Sequence, residues 1–340
     1  MTAKNYLKAR APAKIILSGE HAVVYGHPAL AMAINRYTET LVRWSTPLHL
    51  TFNLLGIDYK QKITLEALKR LKRKLQKQYH QFSTGEISIR DVLKHPFELT
   101  LYTAMNVIEK LKHKLPMGID INTHSNIPIG CGLGSSAACV VSVIKALGHF
   151  LHVHLQIQDY IRLGIESENL QHGFSSGLDI HISYQGGALF FQNGQCTSRP
   201  LPTFPMQLVL TGQPQSSTGE CVQQAKQRFN TSKIGKDFEA ITLDLDAAIQ
   251  ANDLTHIKRN LSENHRLLQH IGVVPTKVSH FIHAIEKRNG AAKICGAGTI
   301  RGDAAGVILV VCEEDITTLS AEHGYSLMPI KGDSHGATLL

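Results

Sequence analysis

The stretch Pro128-Ile129-Gly130-Cys131-Gly132-Leu133-Gly134-Ser135-Ser136-Ala137-Ala138 constrains this chain more than any other. Glycine stands at every second position, two hydroxyls follow, and an apolar run from Ala137 to Leu151 continues without proline. That run predicts a buried helix. Glycines allow positive φ and let backbone approach a ligand closely. A helix opening directly after them offers unpaired N–H groups and a positive dipole end. Together they predict an anion seat, the usual anion being a phosphate. In isolation the same residues also suit a glycine-rich turn capped by Ser135 or Ser136. No lysine follows the last glycine, so this is not the Walker pattern, and the spacing does not match the dinucleotide fingerprint.

The surroundings favour the phosphate. Residues 117–125 alternate like a strand and run straight into the loop. Strand, glycine loop and apolar helix therefore follow in the order a phosphate cradle needs. Two further small-residue loops occur, His172-Gly173-Phe174-Ser175-Ser176-Gly177-Leu178-Asp179 and Gly296-Ala297-Gly298-Thr299-Ile300-Arg301-Gly302-Asp303. Three such loops beside hydroxyl or acidic residues fit an enzyme handling a polyphosphate.

The rest of the chain reads as ordinary alternation of elements. Strands are expected at 8–18, 37–44, 186–192, 207–210 and 291–295, and Asn193-Gly194 signals a hairpin turn. Residues 29–34 are apolar. Helices are expected at 96–114, 158–170, 237–250, 253–268 and 276–289, with another opening at Gln215. Residues 304–312 are apolar throughout, and periodicity does not decide between helix and strand. Leu65, Leu68, Leu71 and Leu75 recur at helical spacing, with Lys69, Arg70, Lys72, Arg73, Lys74 and Lys77 between them. This predicts an amphipathic helix with a basic face, either a solvated surface or a steering field for an anion. Four prolines between 200 and 214 suit a boundary between domains 1–200 and 201–340.

Composition excludes several classes. With 43% hydrophobic and 18% charged residues the 340-residue chain is an ordinary globular protein. The net charge of +8 comes without a recognition motif, so a nucleic-acid partner is not expected. The six cysteines include no C-x-x-C pair, which points to reduced thiols in the cytoplasm. The polar, basic start, residues 1–10, does not read as a signal peptide, and no apolar run is long enough to span a membrane.

Three segments resemble the GHMP kinases. They are Pro12-Ala13-Lys14-Ile15-Ile16-Leu17-Ser18-Gly19-Glu20-His21-Ala22-Val23-Val24-Tyr25-Gly26, the loop from Pro128, and Lys293 to Gly302. His172 to Asp179 is similar to the family segment that carries the catalytic aspartate. The resemblance implies an α+β fold of two α/β domains, the N-terminal one with a mixed sheet and helices and the C-terminal one ferredoxin-like. The active site would lie in the cleft between them. It also implies ATP-dependent phosphorylation of the primary hydroxyl of mevalonate, with Mg²⁺. Asp179 would act as base beside Lys14. Glu20, His21 and Thr218 would face the substrate with Asp179. Pro128, Gly130, Gly132, Leu133, Gly134, Ser135, Ser136, Ala137, Gly296, Gly298 and Arg301 would hold the nucleotide. Ser136 and Glu168 would hold the metal. Taken singly, Asp179 also suits a helix N-cap and Glu168 an exposed helical carboxylate.

Two departures from the family pattern stand out. Thr299, Ile300 and Arg301 replace small residues, and Ser216 stands where a basic residue is usual. Gly19-Glu20-His21 followed by Ala22-Val23-Val24 favours mevalonate over galactose or phosphomevalonate. Another small-molecule kinase of the same fold, such as a phosphomevalonate kinase, is the alternative. A nucleotide-binding module without turnover would be expected to lack Lys14 or Asp179. A homodimer is left open.

Overall fold

The computed structural model describes residues 5–340; residues 1–4 of the basic start lie outside the described residues. The chain opens with two long antiparallel strands, β1 (Tyr6–Ser18) and β2 (Ala29–Ser45). The apolar segment 29–34 and the strand expected at 37–44 are thus one strand. A short hairpin follows, β3 (Leu50–Leu54) and β4 (Tyr59–Ile63), which the sequence reading did not separate. Next come α1 (Leu65–Ser83), α2 (Phe97–Ile108), β5 (Gly118–Ser125), α3 (Ser135–Phe150), α4 (Ile157–His172) and α5 (Leu178–Gln185). The hairpin signalled by Asn193-Gly194 joins β6 (Ala188–Gln192) to β7 (Gln195–Arg199).

The larger sheet has eight strands, in the order β12 (Thr338–Leu339)-β1-β2-β5-β3-β4, with β6 pairing with β2 and β7 pairing with β6. Its only parallel pair among the described strands is β3 with β5. The final strand, β12 (Thr338–Leu339), returns from the far end of the chain to pair with β1. Helix α3 lies across β1 and β2. Ala137, Ala138, Val140, Val141, Val143, Ile144 and Leu147 are fully buried there. Small residues at its start let the helix sit close to the sheet, which fixes where its N-terminus points.

The second sheet has four strands: β8 (Gln207–Gly212), β9 (Ala291–Ile294), β10 (Gly306–Val311) and β11 (Ser326–Pro329). Their order is β11-β8-β10-β9, all antiparallel, the ferredoxin-like arrangement. Between β8 and β9 run α6 (Thr218–Thr231), α7 (Ile234–Gln250), α8 (Leu254–His270) and α9 (Thr276–Glu286). A short α10 (Thr317–Glu322) precedes β11.

The structure decides the undecided stretch. Residues 306–311 are a strand, and every one is buried. Val307, Leu309 and Val311 join the core of the larger sheet, while Ile308 and Val310 join the core under the C-terminal helices. Both faces of the strand are apolar, so no alternation is visible in its sequence.

Candidate active site

One cavity of about 360 Å³ collects the three loops and the ends of β1, β3 and β5. Lys14 reaches it from β1. It is only 3% exposed, and its ammonium stands 3.3 Å from Asp179 Oδ2. Its backbone N–H donates to the carbonyl of Leu133 at 2.9 Å, tying the strand to the glycine loop. Gly134 fits between them because it has no side chain. At φ 70° an added Cβ would lie 2.9 Å from Lys14 Cγ and 3.5 Å from Asp179 Oδ2.

Gly134 also corrects one expectation. It, and not Ser135 or Ser136, is the N-cap of α3. Both serines lie in the first turn, where their backbone N–H groups remain unpaired within the helix. The left-handed glycine makes the turn, and neither hydroxyl caps the helix. Similarly, Asp179 is not an N-cap. Gly177 caps α5 at φ 87°, and Asp179 sits in the first turn facing Lys14.

Glu168 lies on α4 and is 2% exposed, against the reading of an exposed helical carboxylate. Its Oε2 accepts from the Ser136 hydroxyl at 3.1 Å and stands 3.4 Å from His172 Nε2, one turn on. Its Oε1 is buried with no protein partner. Burial pulls the His172 imidazole down, but its bond to Glu168 and the charges of Glu168 and Asp179 outweigh that and hold it above its usual range. A buried free carboxylate oxygen beside a hydroxyl is a hard-oxygen donor set, the chemistry that suits Mg²⁺.

Glu20 and His21 line the same cavity. Glu20 is buried, and its Oε1 pairs with Lys293, a fully buried lysine from β9. Burial lifts the Glu20 carboxyl above its usual range despite the opposing ammonium. The other oxygen, Oε2, has no protein partner. His21 sits at φ 61° and its Nε2–H donates to the carbonyl of Ala297 at 3.0 Å. Burial takes its pKa down to about 4, so the ring is neutral at neutral pH. With Nε2 donating, Nδ1 is left as a buried acceptor without a protein partner.

The structure brings Lys14, Glu20, His21, Gly130, Gly132, Leu133, Gly134, Ser135, Ser136, Glu168, Asp179, Thr218 and Gly296 onto one cavity wall. It does not bring Pro128, Ala137, Gly298 or Arg301 there. Ala137 is buried in the core of α3. Gly298, at φ 71°, lies against the Val273 carbonyl, 2.2 Å from where a Cβ would be. Arg301 is exposed and donates to Glu220 at 2.6 Å, and Glu220 is also held by Arg90. The two departures from the family pattern meet one another: the Thr299 hydroxyl donates to Ser216 Oγ at 3.1 Å, and Ser216 N–H donates back to Thr299.

Lys293 and His172 went without an assigned role in the sequence. A lysine inside the apolar run Ala291-Ala292-Lys293-Ile294-Cys295 was a usable signal, because a buried ammonium needs an anionic partner. For His172 the signal was Glu168 four residues earlier, an i, i+4 spacing that makes the two neighbours once the helix runs through both.

The fold is that of the GHMP kinases, and the family described as GHMP kinases N terminal domain matches residues 100–187. The structure resembles that of the Methanococcus jannaschii mevalonate kinase with a TM-score of 0.79 over 97% of this chain and 99% of that one, at 23% identity. It also resembles a Lactococcus lactis galactokinase complexed with galactose, with a TM-score of 0.76 over 99% and 96% at 14% identity, so the fold alone does not choose the acceptor. The sequence is 32% identical to the mevalonate kinase of Pyrococcus horikoshii over 86% of each chain. The chain belongs to the mevalonate kinase family within the GHMP kinases.

Proposed function

We propose that this protein transfers the γ-phosphoryl group of ATP to the primary hydroxyl of mevalonate, a step of isoprenoid precursor synthesis. The observation that carries the reading is the 3.3 Å pair of Lys14 and Asp179 facing the open N-terminus of α3 across one cavity. Phosphoryl transfer needs an in-line hydroxyl, cations for the developing charge and a seat for the phosphates. The N–H groups of Ser135 and Ser136 supply the seat. Lys14 is near enough to neutralise charge on the transferring group and keeps a cation beside the base. Asp179 accepts the hydroxyl proton as the bond to phosphorus forms. His21 Nδ1 and Glu20 Oε2, both without a protein partner, are the acceptors on offer to the one other hydroxyl of the substrate. Thr218, at the start of α6, approaches the phosphates from the second sheet.

Glu168 and Ser136 would hold Mg²⁺, with phosphate oxygens and water completing its coordination. When bound, the ion offsets charge on the phosphates. The labour divides at about residue 200: residues 1–200 carry the base and the phosphate seat, and 201–340 carry Thr218 and the buried partners of the acceptor loop. Cytoplasmic residence belongs to this reading and is supported by six unpaired cysteines. Among the described residues no helix is long and apolar enough to cross a membrane.

The test is ADP release measured with mevalonate, phosphomevalonate, galactose and homoserine as acceptors. Mevalonate should be strongly preferred; its failure to support turnover by folded protein would sink the proposal. Asp179→Ala should lower kcat by roughly 10²–10⁴-fold while nucleotide binding stays near normal. Near-normal turnover by that variant would remove Asp179 as the base.

A further inference from the structure

Three apolar side chains on the cavity that holds Lys14 and Asp179 have no apolar partner in the protein. They are Val24, Phe174 and Val222. Other apolar residues on that wall also belong to a core: Leu54, Leu99 and Leu133 to that of the larger sheet, Ile16 and Val23 to a small cluster beside β1. Among the described residues, Val24, Phe174 and Val222 are packed into none of the apolar clusters. Phe174, at 70% exposure, is the most exposed large apolar side chain of the described residues.

Backbone, not packing, holds Phe174 at the rim. The Tyr79 hydroxyl donates to the Gly173 carbonyl at 2.9 Å, and the Ser175 N–H donates to Asn169 Oδ1 at 2.7 Å. Gly173 stands at φ 80°, where an added Cβ would lie 2.7 Å from Phe82 Cζ. The residues on both sides of the ring are thus pinned, and the ring itself is not. Val24 is left over in the same way. In the turn Ala22–Tyr25, Ala22 is buried in the core under the C-terminal helices, Val23 packs on the cluster around Ile16, and Tyr25 stacks on Phe229 at 4.4 Å. On α6, Cys221 and Ala225 enter the core, whereas Val222 stands on the cavity wall with Thr218, one helical turn earlier.

The three come from the elements that carry the groups facing the acceptor. Val24 follows His21 by three residues, Phe174 precedes Asp179 by five, and Val222 follows Thr218 by four. Ile57 and Ile129, also on the cavity and outside any cluster, belong instead to the turn after β3 and to the glycine loop.

We propose that Phe174, with Val24 and Val222, is the specificity-determining wall of the acceptor site and lies against the methyl and methylene groups of mevalonate. The assignment rests on the reaction proposed above. Mevalonate carries a carboxylate and two hydroxyls on a skeleton that also bears a methyl group. Lys14, Glu20, His21 and Asp179 are partners for the polar groups, and none of them is a partner for the methyl. An apolar wall covers that group and takes it out of water. The same wall disfavours a polyhydroxylated acceptor, because a hydroxyl pressed on it loses water and gains no hydrogen bond. With its backbone already fixed, the wall needs little ordering when the acceptor arrives.

Steady-state kinetics with two acceptors test this: mevalonate and its analogue without the methyl group, 3,5-dihydroxypentanoate. The wild type should prefer mevalonate in kcat/KM by roughly tenfold or more, the range that one buried carbon supplies. Phe174→Ala should raise KM for mevalonate by roughly tenfold and bring its preference over the analogue to within about threefold. KM for ATP and the melting temperature should stay near wild type, since the ring is exposed. Phe174→Leu should keep most of the preference, and Phe174→Asn should lose it. A rise in KM for ATP with KM for mevalonate unchanged would put the ring on the nucleotide and overturn the proposal. So would a fall in KM and melting temperature alike without loss of preference. No mevalonate turnover by the wild type would take the reaction and the wall down together. A wild type that turns over, with Phe174→Ala keeping its full preference, would overturn the wall alone.

Discussion

His265 shows what a single buried residue can do to the pH response. It is 4% exposed, its Nδ1 has no partner, and burial lowers its pKa to about 4. In the unfolded chain the ring titrates near the ordinary histidine value of 6.5. Between those two values the unfolded state binds more protons than the folded one, so stability falls as pH drops through that window. From pH 7 to 5.5 this residue should cost about 1 kcal/mol, and His21 should act in the same direction. Denaturant midpoints of wild type and His265→Gln at the two pH values check this. The variant should lose less stability than wild type on acidification; equal losses would contradict the buried neutral ring. Glu20 works in the opposite direction, because its pKa is raised on folding.

At the scale of elements, two glycines of one loop have different neighbours and should fail differently. Gly132 sits at φ 84° with the Cys295 carbonyl 2.4 Å from where a Cβ would be, and Gly296 would in turn meet Gly132 Cα at 2.9 Å. Here backbone of the loop from Pro128 lies directly on backbone of the loop after β9. Gly132→Ala should therefore destabilise the fold, by about 1–3 kcal/mol, since neither backbone can step aside. At Gly134 the neighbour is the flexible Lys14 side chain. Gly134→Ala should keep more of its melting temperature and lose turnover, at least tenfold, as Lys14 is pushed from Asp179. Thermal melts and kcat for the pair distinguish the two; equal melting losses with equal turnover would undo the distinction. Sequence made the loop and the helix after it legible, because three glycines before an apolar run allow little else. It did not reveal the cap, since serine is a good cap in general and only the packing of Lys14 makes Gly134 the residue that turns.

Over the whole molecule, buried polar groups join the two sheets. Lys293 of the smaller sheet pairs with Glu20 at the end of β1 and donates to the Ile16 carbonyl at 3.0 Å. Nearby, Ser18 Oγ is shared with Thr242 of α7 at 2.7 Å and accepts from Asn264 of α8 at 2.8 Å. Lys293→Met should cost about 3–5 kcal/mol, because it leaves a buried carboxyl without its cation. The double variant Lys293→Met/Glu20→Gln should recover part of that loss, and chemical denaturation measures both. A double variant no more stable than the single one would argue against the pair as the source.

The three loops, most helices and the family were legible in the sequence, because each rests on residue types at short, fixed spacing; Lys14 and Asp179 were singled out through the segments that resemble the family. Only the tertiary structure decided that residues 306–311 are a strand with two apolar faces serving two cores. It alone turned Arg301 away to Glu220, set Ser216 against Thr299, and placed Lys293 under Glu20. Those contacts join residues 80 or more positions apart, and a charge or hydroxyl in a sequence does not say which distant partner will satisfy it once both are out of water.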